Sequence, residues 1–314
     1  MNMSSNYAKE GDPVTKSYIK KNKRKKTRII LGFIIPALVI YMIFTIYPII
    51  ATLNYSLTDW SGVSGESDFV GIQNYINLLG DSTFWQALQN NLFLVLVSVF
   101  LQIPLGLLMA LVLFTPIFGK QLLNIVFFLP YLMSTVAIGI LWLFMYDPSS
   151  GPINQLTEFL GIGMFDWLGD PNLALMSVLF VLIWQFSPLY MILFKAAMVG
   201  IPDELYEAAN IDGANGFKQF VHVTFPSLIP TIVTSSVLAV VGSLKAFDIF
   251  YIMTGGGPGT ATEILGTYMY DQAFINFNMG YASTIAAAMF IISLIAVIII
   301  QYLDYRRKKK GILI

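Results

Sequence analysis

Apolar residues in this chain come in runs far longer than the short stretches that line a water-soluble core. A helix needs roughly 20 mostly apolar residues to cross the hydrocarbon of a bilayer. Six segments meet that length: 29–53, 92–114, 122–146, 173–199, 229–253 and 284–303. The pattern predicts an all-α membrane protein of six transmembrane helices. In the polar stretch 54–91, Asp81 and Ser82 can cap a short interfacial helix with Phe84, Trp85 and Leu88 at helical spacing. No soluble domain, solenoid repeat or low-complexity tract interrupts the series.

Composition supports lipid as the solvent. Hydrophobic residues make up 56% of the 314 positions and charged ones 11%, with a mean hydropathy of +0.71. A soluble domain carries about 25% charged residues. Burying this much apolar surface without lipid would need a core larger than this length encloses. The chain has no cysteine, which excludes disulfides, thiolate metal sites and cysteine nucleophiles.

A net charge of zero conceals strong segregation. Nine of the 18 basic residues precede residue 29, and five more occupy Arg306 to Lys310. Each run abuts an apolar span, so the positive-inside rule explains them better than nucleic-acid binding does, and both termini are expected in the cytoplasm. The first 28 residues are too long and polar for the charged part of a secretory signal, so the first helix is expected to stay as an anchor. The intermediate loops agree. Loops 54–91, 147–172 and 254–283 contain no lysine or arginine, whereas the inner loops and helix ends hold Lys120, Lys195 and Lys218. Lys245 alone breaks the rule. Pro36, Pro48, Pro104, Pro130 and Pro188 inside the spans predict kinked helices, which membrane bundles tolerate. Trp60, Trp85, Tyr146, Trp167, Tyr251 and Tyr281 near span ends read as an aromatic belt.

The inner loop between the fourth and fifth spans carries the strongest chemistry. Pro202 suits a first helical position, and Asp203 and Glu204 follow where negative charge favours the helix dipole. Leu205, Ala208, Ala209 and Asp212 recur at helical spacing, and Gly213 can close the helix in a left-handed turn. A second helical run, 217–225, is expected to end at Pro226. The predicted unit is a compact helix–turn–helix whose small face, Ala208 and Ala209, lets another surface approach closely.

Glu207-Ala208-Ala209, Gly213 three residues on, then Val223 and Phe225-Pro226 resemble the signature loop of binding-protein-dependent ABC permeases. Val223 and Phe225 stand for the family's usual isoleucine and leucine. Further stretches resemble the first of two paired permeases in sugar importers of the maltose, glycerol-phosphate and multiple-sugar class. They are Tyr47-Pro48, Ser56 to Trp60, Phe69-Val70-Gly71, Asn74-Tyr75, Phe127 to Pro130, Phe247-Asp248, Met253 to Gly259, and Gly280 to Ser283. One departure stands before Pro130, where Lys120 and Asn124 replace the family's usual arginine.

The resemblance implies a division into a basic cytoplasmic tail (1–28), a permease domain (29–303) and a second basic tail (304–314). Loop 200–228 would be a coupling loop seated in a cytoplasmic ATP-binding-cassette ATPase dimer. Glu207, Ala208, Ala209, Gly213, Val223, Phe225 and Pro226 would make that contact. A second homologous permease, an extracytoplasmic sugar-binding protein and membrane lipid complete the implied partners, in a bacterial plasma membrane, with no nucleic acid. ATP and Mg would be held by the partner ATPase, leaving no cofactor, metal or catalytic residue in this chain.

For the substrate path the sequence offers Gln185, Ser187, Ser243, Lys245 and Asp248. Lys245 lies 15 residues beyond Pro230, about 22 Å along a helix, in the outer half of a hydrocarbon layer about 30 Å thick. Three residues apart on a helix, Lys245 and Asp248 are expected to share a face and pair. Such groups are functional candidates, or a structural pair snorkelling to the interface. Gly255-Gly-Gly-Pro-Gly259 lacks the lysine and Ser/Thr of a phosphate loop and reads as a flexible outer turn. The lone His222 reads as a surface residue. An ion-gradient-driven transporter is the competing function, disfavoured by the scarcity of acids inside the spans and the lack of a repeat between halves.

Overall fold

The computed structural model describes residues 32–63 and 65–309. The basic tail 1–28, the first residues of the 29–53 segment and residues 310–314 lie outside the described residues. The chain divides into two units, one ending at Asn54 and one beginning at Tyr55. Helix α1, Gly32–Tyr55, makes up the described part of the first.

The second unit contains α2 (Gln73–Leu79), α3 (Ser82–Phe114), α4 (Lys120–Leu132), α5 (Thr135–Met145) and α6 (Pro152–Phe159). It continues with α7 (Ala174–Val199), α8 (Asp203–Ile211), α9 (Gly216–Leu244), α10 (Asp248–Met253), α11 (Leu265–Tyr270) and α12 (Met279–Lys309). Among the described residues an isolated bridge between Thr58 and Phe69 is the only β pairing. Five helices, α1, α3, α7, α9 and α12, are long and apolar enough to cross a membrane. Helices α4 and α5 make a sixth span if the pair counts as one, but they meet at a bend of 99°.

The expected 122–146 span is therefore two helices. Met133 and Ser134 are extended, and Thr135 starts a new helix that turns toward α10. There Gly139 admits the Ile252 side chain, whose Cγ2 would lie 2.8 Å from any Cβ at that position. Packing against α10 decides the direction of α5, a contact that no local pattern reports.

Three prolines are absorbed without breaking their helices. Wide π-turns occupy Met42–Ile46, Ser98–Gln102 and Phe220–Thr224, each ending two residues before Pro48, Pro104 or Pro226. A proline ring crowds the carbonyl four residues back and supplies no N–H. Moving the preceding residue to an i→i−5 bond opens the turn where the ring needs room. For this reason the run expected to stop at Pro226 does not stop: α9 passes through Pro226 and Pro230 and continues to Leu244.

The polar loop before α3 also differs from expectation. Asp81 does cap a helix, accepting from the Thr83 N–H at 2.9 Å and the Phe84 N–H at 3.3 Å. That helix is α3 itself, continuous to Phe114, and the separate short helix is α2. The aromatic belt is partly inside the protein. Tyr146 and Tyr281 are buried, and their hydroxyls donate to the Ser177 carbonyl and the Asp81 carboxylate.

Among the described residues three apolar clusters hold the bundle, and two of them join α3 to α7. One joins Leu94, Ile138, Trp142, Val178 and Phe250, and the other joins Ile103, Ala110, Met191, Phe194 and Leu228. Helices α3 and α7 cross at Gly106, where a Cβ would sit 2.6 Å from Tyr190 Cβ and 2.9 Å from the Ser187 carbonyl oxygen. Small residues permit such close backbone approach in membrane bundles. Gly106→Leu is expected to destabilise the detergent-solubilised protein by about 1–3 kcal/mol, the usual cost of overpacking. Gly242→Ala, facing open space, should melt no lower than the parent, and thermal unfolding of the two variants checks the contrast.

Candidate functional site

A cavity of about 290 Å³ opens between the two apolar clusters. Ser98 and Gln102 of α3, Tyr131 of α4, Thr135 of α5 and Phe186 of α7 form part of its wall. The rest comes from the end of α9 and the segment that follows, with Gly242, Ser243, Lys245 and Asp248. The mouth is therefore built where helices stop or bend, since only there can polar groups face a space inside an apolar bundle.

The stop of α9 explains the fate of the expected Lys245–Asp248 pair. Helical geometry ends at Leu244, and Lys245, Ala246 and Phe247 form an irregular link before α10 begins at Asp248. The two side chains do not form an ion pair, because the helical register that would align them is absent. Both are exposed and line the same cavity, each with its charge available to a ligand. Ser243 also lines it, its hydroxyl donating to Ser98 Oγ at 3.0 Å. Gln185 stands one layer back: its Nε2 donates to Thr135 Oγ1 at 3.1 Å, while its Oε1 is buried without a partner among the described residues. Ser187 is not on the wall. Its hydroxyl donates to the Ile183 carbonyl at 2.6 Å within α7. Gln102, Tyr131 and Thr135 escaped the sequence reading, although a glutamine within the apolar run 92–114 was a signal open to view.

Side chains near the mouth replace the backbone bonds that the breaks forfeit. Asn91 is buried on α3, donating to the Ser243 carbonyl at 2.8 Å and accepting from the Leu265 N–H at 2.7 Å. Its neighbour Asn90 donates to the carbonyls of Ala261 and Glu263 at 3.1 and 2.7 Å. The glycine-rich stretch is not a loose turn. Gly256 has a φ of +90°, and a Cβ there would lie 2.3 Å from the Glu263 carboxylate, so the turn closes around that group. Glu263 is 6% exposed and hydrogen-bonded by Thr267. Burial raises its pKa above the ordinary glutamate value, partly opposed by the Thr267 bond and reinforced by the negative charge of Asp271.

A second polar knot lies nearby in the fold. Tyr268 and Tyr281 donate to the Asp81 carboxylate, tying the start of α3 to α11 and α12. Burial by itself would raise the Asp81 pKa, but these bonds and the Thr83 and Phe84 amides outweigh it and hold the group below its ordinary value. The stretch 56–75 folds onto α12. Asn74 Nδ2 donates to the Ser56 and Thr58 carbonyls, and Gly280 N–H donates to the Trp60 carbonyl at 2.8 Å. Motifs more than 200 residues apart in sequence thus form one structure.

The loop between α7 and α9 is the other candidate. Helix α8 has no buried residue. Glu207, Ala208, Gly213 and Phe225 are exposed, and Ala209, Val223 and Pro226 are partly so. Gly213 has a φ of +75°, and the Ala214 N–H donates to the Ala209 carbonyl at 2.9 Å, closing α8 as a left-handed cap does. Tyr206 and Thr224 share a hydrogen bond of 3.0 Å, and Gln219 donates to Asn210 at 2.6 Å, so the two arms of the loop are braced. Ile211 and Phe217 are 88% and 75% exposed, and acidic Asp203, Glu204 and Glu207 on α8 are exposed as well. Before Pro130, where the sequence departs from the pattern it resembles, Asn124 accepts from Lys195 Nζ at 2.9 Å, tying α4 to α7. His222 is exposed, its Nδ1 2.9 Å from the Lys218 carbonyl.

Residues 102–309 match the family model described as binding-protein-dependent transport system inner membrane component. The chain is 40% identical to the probable ABC transporter permease protein YurN of Bacillus subtilis, over 83% of this chain and 91% of that one. It is 32% identical to the trehalose/maltose transport system permease protein MalF of Thermococcus litoralis, over 87% and 92%. It is 36% identical to the multiple sugar-binding transport system permease protein MsmF of Streptococcus mutans, over 83% and 89%. In fold it is similar to a chain of a bacterial ABC transporter involved in alginate import, with a TM-score of 0.80 at 21% identity, covering 91% of this chain and 98% of that one.

The raised pKa of Glu263 fixes a sign. A carboxyl whose folded pKa is raised favours the fold while protonated and weakens it as pH climbs through that value. Glu263→Gln should therefore raise the melting temperature at pH 8 and bring no gain at pH 4. Equal shifts at the two pH values would show that ionisation is not the cause.

Proposed function

Because the chain belongs to the family of binding-protein-dependent transport system inner membrane components, we propose that it forms half of a carbohydrate pathway driven by a separate ATPase. The names of the MalF and MsmF relatives support a sugar as cargo. The observation that carries the coupling part is the continuity of α9. Its 29 residues run unbroken from the braced loop at Gly216 to the cavity at Ser243. At 1.5 Å per residue that is a rod of about 42 Å.

In this reading the cytoplasm holds both termini and the loop 200–228. A nucleotide-driven ATPase dimer, which binds the ATP and Mg, grips α8 through its exposed apolar and acidic face. Closure of that dimer moves α8, and the bonds Tyr206–Thr224 and Gln219–Asn210 carry the motion into α9. The far end of α9 bears Ser243 and Lys245, so the cavity changes shape with the loop. A homologous permease supplies the facing wall. An extracytoplasmic binding protein releases sugar onto the outer loops, an arrangement supported by the alginate importer solved with its substrate-bound periplasmic protein. Within the cavity, Lys245, Asp248, Ser243 and Gln102 offer the charged, hydroxyl and amide groups that a polyhydroxyl cargo hydrogen-bonds. Glu207, Ala208, Ala209, Gly213, Val223, Phe225 and Pro226 act at the ATPase contact.

Orientation is tested by labelling. The chain has no native cysteine, so single replacements report cleanly. With an impermeant thiol reagent on intact cells, Glu158→Cys should label and Glu204→Cys should not, and inside-out vesicles should reverse the pattern. Labelling of Glu204→Cys from outside the cell would overturn the topology and the coupling role together.

Coupling is tested at Gly213, whose Cβ position faces open space. Gly213→Asp adds charge and strains the left-handed turn without clashing inside the chain. Uptake should fall by about tenfold or more, matching a loss of about 1.4 kcal/mol in docking, with the amount of protein in the membrane unchanged. Co-purification of the ATPase at the parent level would count against the proposal.

A further inference from the structure

A groove of about 400 Å³ lies between α3, α9 and the end of α12, and it shares no lining residue with the cavity. Val99, Ile232 and Leu303 make its wall apolar, and Arg307 closes one end. The Arg307 side chain is only 25% exposed, and one terminal nitrogen reaches Asp304 Oδ1 at 2.8 Å. Its Nε is buried with no partner among the described residues. The other oxygen of Asp304 takes Lys308 Nζ at 2.7 Å, and neither oxygen bonds Nε. Ser236, the other polar residue of the wall, donates its hydroxyl to the Ile232 carbonyl at 2.8 Å.

Charge points the same way. From Asp304 to Lys309 the sequence places four cations around one carboxylate. An arginine that merely snorkels holds its donors in interfacial water, whereas here Nε is sealed in the protein wall. From Ile300 to Arg307 the groove extends about 10 Å along the helix, well within one leaflet of a core about 30 Å thick. A fitting occupant is apolar over that length and anionic at the arginine end. A neighbouring protein helix would have to bring an acid to that depth. A phospholipid carries its phosphate there already, and phosphate is a preferred acceptor for guanidinium.

We propose that this groove holds an acyl chain of an anionic phospholipid whose phosphate takes the exposed donors on the terminal guanidinium nitrogens of Arg307. The site rests on the chain spanning a membrane, and its assignment to the inner leaflet rests on the topology proposed above. Anionic lipid is concentrated on the cytoplasmic side, where basic segments gather it. The bound lipid would brace α12 against α9, the helix that joins the loop to the cavity.

The full chain, purified in mild detergent with the subunits that accompany it, provides the test. Native mass spectrometry should show retained phosphatidylglycerol, and added phosphatidylglycerol should raise the melting temperature more than phosphatidylcholine with the same acyl chains. Arg307→Gln should lose that preference. Val233→Trp, which fills the groove without altering charge, should lose retention of both lipids. Equal response to both lipids in the parent, a preference that survives Arg307→Gln, or a shift reproduced by inorganic phosphate would each overturn the site. Cross-linking of Ile300→Cys to a second subunit, with no lipid retained, would overturn it in favour of a protein neighbour. None of these readouts depends on uptake, so failure here and failure of ATPase coupling are distinguishable.

Discussion

Backbone groups that leave a helix in apolar surroundings have to be met by other donors and acceptors, and Asn91 meets that demand where α9 stops. Its amide takes the Ser243 carbonyl on one side and the Leu265 N–H on the other. That one side chain allows a long helix to end beside the bundle core, an irregular link to follow, and α11 to begin against it. The close approach is further licensed by Gly266, where a Cβ would lie 2.4 Å from the Ala246 carbonyl oxygen. The cavity exists because this break exists.

The same constraint shapes the rest of the molecule. Pro48, Pro104 and Pro226 are accommodated by π-turns that let their helices continue. Continuity through Pro226 and Pro230 turns α9 into a single rod that starts at the braced loop. The bend between α4 and α5 has the opposite effect, placing Tyr131 and Thr135 on the cavity wall where a straight span would carry them past it. Unbroken and broken helices therefore differ in effect: α9 links the loop to the cavity, and the breaks open space for polar groups.

The chemistry of the loops around the mouth is similarly structural in its first effect. Asp81 gathers two tyrosines and a helix N-terminus, and Glu263 lies buried inside a turn that only glycine at position 256 can close. These groups keep the segments around the mouth in register. They leave Lys245 and Asp248 as the charges free to face a ligand.

Hydrophobic run lengths determined, from the sequence alone, a helical membrane protein with a distinct loop between the fourth and fifth spans. The reason is that they depend on transfer of local segments from water to lipid, which needs no knowledge of the partners. Glycine and proline positions marked the end of α8 and the start of its turn, because φ preference is also local. The sequence could not show that Lys245 and Asp248 stand apart, that α3 begins at Ser82, that the third span bends, or that Arg307 closes a groove. Each of those depends on contacts between residues far apart in the chain, such as Asn91 with Ser243 and Gly139 with Ile252, where tertiary packing overrides helical period.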